Sequence, residues 1–179
     1  MKKAISLLVF LTSLSQLCYG VSEEERRATW DKLRQIKEQT SLTLHPQQGE
    51  VTKGANLVEP GNDLSVHFSE IYLLRIVDPE DNEIYKLHIT ALYMSQQWAN
   101  YSKVREKDGS AMSLTVLSRL EPSNKLSAGK KEEQLEVNMG IEDLANHLGQ
   151  GLDIVLSGET DEQNIHIPSI YLLAMMQSM

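Results

Sequence analysis

The apolar and polar positions of this chain change their spacing three times, and each change predicts a different kind of element. Residues 4–17 are mostly apolar, preceded by Lys2 and Lys3 and followed by Cys18, Tyr19 and Gly20. A basic start, an apolar centre and a small-residue end predict a secretory signal peptide over residues 1–20, cut after Gly20. Its apolar part is too short for a comfortable membrane span. Cys18 invites comparison with lipoprotein cleavage, but Leu17 fills the position before it, where such sites use a small residue. From Ser22 the spacing becomes helical. Trp30, Leu33 and Ile36 recur on one narrow stripe, Ser22 and Glu25 stand at capping-box spacing, and acidic residues fill the first turn, where they oppose the helix dipole. These features predict a short amphipathic helix over residues 21–40.

After the helix, a weak alternation in "SLTLH" is broken by Pro46, Gly49, Gly54, Pro60 and Gly61, which predicts short edge strands and loops. Beyond residue 64, period two dominates. "LSVHFSEIYLLRIV" and "EIYKLHITALYM" flank "DPEDN", a turn by composition, so a β-hairpin is expected. In its second arm Tyr85, Leu87, Ile89, Ala91 and Tyr93 share one face, opposite Lys86, His88 and Thr90. One apolar face means that one side packs on a core. Further strands are predicted at "WANYSKV", at "MSLTVLSRL" with Met112, Leu114 and Val116 on one face, and at "EQLEVNM" with Leu135, Val137 and Met139 on one face. "GIEDLANHLGQG" reads as a short helix ended by Gly149 or Gly151. The tetrapeptide "IYLL" occurs at 71–74 and again at 170–173. The first copy leads into a β-branched segment and a turn; the second follows Pro168-Ser169 and precedes helix formers. The expectation is therefore strand first and helix second.

The segment 152–167 predicts a closing hairpin, "GLDIVLS" against "NIHIP". Setting Leu156 opposite Ile165 and Ile154 opposite Ile167 makes the apolar faces coincide and puts His166 across from Val155. This stretch also holds Ser157, Asp161 and His166 in the chain order of some serine hydrolases. A nucleophilic serine needs an oriented base, a group behind that base and oxyanion donors, usually on a strained strand-to-helix elbow. Ser157 instead precedes an acidic turn, with Asp161 at its tip. The three residues read as a strand end, a turn and an outward strand position.

Composition narrows the chemistry. A chain cut after Gly20 retains no cysteine, which excludes disulfides, thiol nucleophiles and thiolate metal sites. Without Lys2 and Lys3 the formal net charge moves from -8 to -10, and the short basic cluster Lys130-Lys131 is followed at once by Glu132 and Glu133. Nucleic acid and anionic membranes are poor partners for such a surface, whereas a basic protein fits it. The histidines, His45, His67, His88, His147 and His166, form no pair at helical ligand spacing. His67, His88 and His166 each fall in a predicted strand, from which three ligands could converge. Tyr72, Tyr85, Tyr93, Trp98 and Tyr101 cluster in the hairpin and the strand after it, as core or cross-strand pairs or as a stacking platform for carbohydrate. Of all these side chains, Trp98, Tyr101, His88 and His166 are the candidates for partner contact. "NYS" at 100–102 matches a glycosylation sequon, which carries no weight in a bacterial host of the kind the two-lysine signal suggests.

From about Tyr85 to Gln177 the chain resembles a group of small, exported, uncharacterised proteobacterial proteins. The resemblance lies in Trp98 and Tyr101, "DG" at 108–109, Arg119 at a strand end, and "GLDIVLSG" with "IHIPSIYLLAMM". It implies export and a strand, turn and terminal helix at the end of the fold, and it implies no substrate, cofactor or catalytic residue. Related sequences often carry two cysteines after the position matching Arg119; "LEPSNKLSAGKKE" has none.

The expectation is thus a signal peptide (1–20), an amphipathic helix (21–40) and one β-rich domain (41–179). The fold would be mainly β, a single β-sandwich-like antiparallel domain with a short helix at each end. The expected role is periplasmic or secreted, non-enzymatic and without cofactor: an envelope or secretion accessory, or an inhibitor or immunity-type protein. A hydrolase or metal-dependent enzyme using His88 and His166, and a carbohydrate-binding module built on Trp98 and the tyrosines, are the competing classes.

Overall fold

The computed structural model describes residues 22–45, 49–94, 97–121 and 130–177. The predicted signal peptide with Cys18, and residues 122–129, lie outside the described residues.

Helix α1 (Glu23–Glu38) starts as the spacing predicts: the Glu25 N–H donates to Ser22 Oγ at 3.2 Å, and the Ser22 N–H returns to the Glu25 carboxylate at 2.8 Å. Nine strands follow among the described residues: β1 (Ser41–His45), β2 (Gly49–Lys53), β3 (Phe68–Val77), β4 (Glu83–Met94), β5 (Lys103–Glu106), β6 (Ala111–Leu120), β7 (Lys130–Met139), β8 (Leu152–Ser157) and β9 (Glu162–Ile167). A 3-10 turn (Asp63–Val66) precedes β3, α2 (Ile141–Asn146) precedes β8, and α3 (Ser169–Met176) follows β9. The strands form one curled antiparallel sheet in the order β1-β2-β3-β4-β7-β6-β5-β8-β9. The mainly β, sandwich-like single domain expected from the sequence is the observed fold.

The β3–β4 hairpin pairs Val77 with Glu83, and the Asp78 carboxylate closes its turn by accepting the N–H groups of Glu80 and Asn82. On its inner face Ile71 and Leu73 lie opposite Ile89 and Leu87; β7 continues the row with Leu135, Val137 and Met139. A bulge between Val116 and Ser118 interrupts the β6 ladder, as bulges do where a strand bends. Beyond it β5, β8 and β9 bring Val104, Leu152, Ile154, Leu156, Ile165 and Ile167 into the same core cluster as β3, β4 and β7. Helix α3 seals that core. The Tyr171 hydroxyl donates to Ala55 O at 2.7 Å and accepts the Leu73 N–H at 3.0 Å, replacing a ladder bond where the chain leaves β2. Gly54 permits this, because a Cβ there would stand 2.4 Å from that hydroxyl.

Both "IYLL" copies adopt the expected conformations, strand in β3 and helix in α3. Four expectations are corrected. Trp30 is 58% exposed, since α1 touches the body along α3 and buries Leu33 while leaving the Trp30 side open. Residues 97–102 form no strand: Asn100 takes φ 52°, and the Ala99, Asn100 and Tyr101 N–H groups bond to side chains rather than a neighbouring strand. Val116 is exposed, although Met112 and Leu114 on its expected face pack against the core. In the closing hairpin Ile154 pairs with Ile165 and Leu152 with Ile167, two residues from the expected register. The Gly158 N–H bonds to Asp161 O at 2.8 Å, so Ser157 already pairs with Glu162 and the turn is shorter than expected. A two-residue slip keeps every side chain on its face, so the core side is unchanged.

Candidate functional site

The densest polar cluster surrounds Glu133. Lys131 and Glu133 continue the inward face of Leu135, Val137 and Met139 along β7, so a cation and an anion are carried into the interior. Glu133 is 0% exposed and accepts four hydrogen bonds: from the Tyr93 hydroxyl at 2.5 Å, the Asn100 N–H at 2.9 Å, the Tyr101 N–H at 3.2 Å and Arg119 Nε at 3.0 Å. The Tyr93 oxygen accepts the Ala99 N–H at 2.8 Å, and an Arg119 terminal nitrogen donates to Tyr101 O at 3.4 Å. Lys131 sits 4.6 Å above the Trp98 ring and pairs with Glu121 at 3.2 Å, while Trp98 meets Tyr93 edge to face. One layer further, the Tyr101 hydroxyl donates to Asp161 at 2.8 Å, and Gln163 Nε2 bonds the same carboxylate. The Glu159 N–H reaches Ala99 O at 2.7 Å; Gly158 allows this approach, for a Cβ there would lie 2.2 Å from that oxygen.

The chemistry of this cluster is that of a clamp. Each Glu133 oxygen already receives two donors, and no direction is left for a reacting group. Burial first, and hydrogen bonding to Glu133 and Asp161 second, push the Tyr93 and Tyr101 phenols far above their ordinary range, so both remain donors near neutral pH. The irregular segment 97–102 is thereby tied to β6, β7 and the β8–β9 turn. The residues that carry the resemblance around this segment, Trp98, Tyr101 and Arg119, all belong to this clamp.

A second cluster lies on the outer face. Tyr72, His88 and Glu136 pair in a row across β3, β4 and β7. The Tyr72 and His88 rings stack at 4.7 Å, Lys53 covers the other side of Tyr72 at 3.8 Å, and Lys86 pairs with Glu136 at 2.8 Å. Desolvation lowers the His88 pKa and Lys53 adds to the effect, against the opposing pull of Glu136 and Glu70. Tyr72 is nearly buried, and its ring serves the sheet rather than an incoming sugar.

The sequence-derived candidates are not brought together. His166 bonds to Asp153 at 2.7 Å, Ser157 donates to Glu162 at 2.9 Å, and Asp161 turns inward to Tyr101 instead of outward to solvent. The His166–Asp153 bond holds the Asp153 carboxyl below its usual range. His67 follows the 3-10 turn and lies outside any strand, and His147 bonds to Glu106 at 3.2 Å. Among the described residues no three His, Cys, Asp or Glu side chains are placed to hold a metal ion, and no helix is long and apolar enough to cross a membrane. Of the four partner-contact candidates, His166 is exposed, Trp98 and His88 are half-buried, and Tyr101, at 1%, lies in the core.

Glu133 and Lys131 escape a reading that stops the alternating pattern at Leu135. Extending period two backwards through "KKEEQLEV" would have placed both inside. No protein-family model and no curated protein matches this chain.

Proposed function

We propose that this chain is an exported, periplasmic, non-enzymatic binding protein whose acidic surface meets a basic protein partner, as an envelope or secretion accessory or an inhibitor or immunity-type protein. The observation that carries this reading is the unequal use of the two charge signs. Four cations of the body are engaged within the fold, Arg75 with Glu83 and Glu50, Lys86 with Glu136, Lys53 with the Tyr72 ring, and Lys131 with Trp98 and Glu121, while Lys103 and Lys107 are exposed. Acidic side chains at Glu59, Asp63, Glu70, Glu80, Asp81, Glu142, Asp143 and Glu159 are exposed. Such a surface steers a basic partner and is weakened by salt. The residues that suggested catalysis have separate partners, Ser157 with Glu162, His166 with Asp153 and Asp161 with Tyr101, which further supports a role without chemistry.

Capture from the periplasm of the native host on the immobilised chain tests this reading. A basic protein retained at low ionic strength and released by salt supports it. Capture unaffected by salt, or stoichiometric zinc or copper in the purified protein, would overturn it.

A further inference from the structure

The segment from Ser22 to His45 differs from the rest of the molecule in two ways. Every residue in it except Leu33, Ile36 and Thr40 is exposed, including Trp30, Leu42 at 61% and Leu44 at 76%. It also carries five acidic and five basic side chains, whereas residues 46–179 carry 20 acidic and 10 basic ones. An arm of balanced charge with exposed apolar side chains adjoins an acidic body. A helix that buries one side chain gains little from packing, and an edge strand with two exposed leucines is a template for another strand.

We propose that this arm joins two copies of the chain, their β1 strands pairing antiparallel about a two-fold axis through Thr43. No described strand pairs with the outer edge of β1. The sequence Ser41-Leu42-Thr43-Leu44-His45 is self-complementary in that register: Leu42 lies opposite Leu44 of the second copy, Thr43 opposite itself and Ser41 opposite His45. Leu42 and Leu44 share a face, so the pairing gathers four leucines on one side of the joined sheet. No Asp, Glu, Lys or Arg enters the seam, and the neutral arm is where two bodies of like charge approach at least cost. The contact is isologous and closes on itself, which gives a dimer rather than a filament. On α1 the side chains of Trp30, Leu33, Arg34, Lys37 and Glu38 line a shallow concavity, and Trp30 is the aromatic anchor such a contact would use.

Sedimentation equilibrium across the micromolar range tests the proposal on the chain beginning at Val21, which contains the whole described core and no cysteine. The expected result is twice the chain mass, falling to one chain mass in Leu42→Lys/Leu44→Lys with an unchanged far-ultraviolet spectrum. Thr43→Cys keeps the test decisive if that variant misfolds: oxidation should give a disulfide-linked dimer, while Glu80→Cys at the β3–β4 turn, which lies off the two-fold axis, should give none. A single chain mass for the unaltered protein, a dimer that survives the lysine substitutions, or no cross-link at Cys-substituted Thr43 would overturn the proposal. Loss of a captured partner on the lysine substitutions, with the unaltered protein monomeric, would assign this edge to a foreign strand instead. The mass and cross-linking outcomes do not depend on the basic partner of the acidic body, so the two proposals fail separately.

Discussion

At the scale of single residues, two ionisable groups, Glu133 buried and His88 half-buried, govern how the fold responds to change. Glu133 gathers four donors in the interior, so Glu133→Ala strands Arg119 and the Asn100 and Tyr101 N–H groups. Leaving buried donors without an acceptor costs about 1–3 kcal/mol each, so urea denaturation should show a loss of unfolding free energy of at least about 3 kcal/mol. His88 acts through pH. Its folded pKa lies below 6.5, so the unfolded chain binds the proton more readily. Its contribution is therefore complete above pH ~6.5 and is lost as pH falls through the lower folded value. His88→Phe, which keeps a ring against Tyr72, should flatten the fall in melting temperature as pH drops below about 6.5 relative to the unaltered chain. An equally steep fall in both would remove His88 from the account. Neither residue was legible from local pattern as a buried group with these partners. The Tyr93–Glu133 bond spans 40 residues of sequence, and no period within β4 or β7 announces it.

At the scale of elements, what was legible follows from period and cap. The inward rows of β4 and β7, the capping box of α1 and the two fates of "IYLL" were readable because neighbouring residues determine them. Of the strand expected over 98–104, residues 98–102 were misread because their partners include Glu133 and Tyr93, groups on other elements, while 103–104 do open β5. The β8–β9 register was misread because the Gly158–Asp161 bond shortens the turn while leaving the faces alike. The closing hairpin gives the clearest element-scale contrast. Ile167 is fully buried, so Ile167→Asp should abolish the cooperative thermal transition, whereas Ser157→Ala removes one exposed bond to Glu162 and should leave the transition within about 0.5 kcal/mol. Gly158→Ala should destabilise as well, since its new methyl would collide with Ala99 O, and calorimetry on the three variants would order them.

At the scale of the whole molecule, the sheet order joins β4 to β7 and β5 to β8, pairings that skip the intervening chain and that no local alternation encodes. Charge, by contrast, was legible as a total, and its division between a neutral arm and an acidic body emerges once exposure is known. That division underlies the two proposed contacts, one between copies through β1 and one with a basic partner through the body. The affinity of the captured partner, measured against ionic strength for the unaltered chain and for single Glu→Lys changes at Glu59, Glu70, Glu80, Glu142 and Glu159, tests the central claim most directly. The account predicts affinity that falls as salt rises and at least one Glu→Lys change that weakens binding about tenfold, near 1.4 kcal/mol. Affinity indifferent to both salt and every one of these reversals would contradict it.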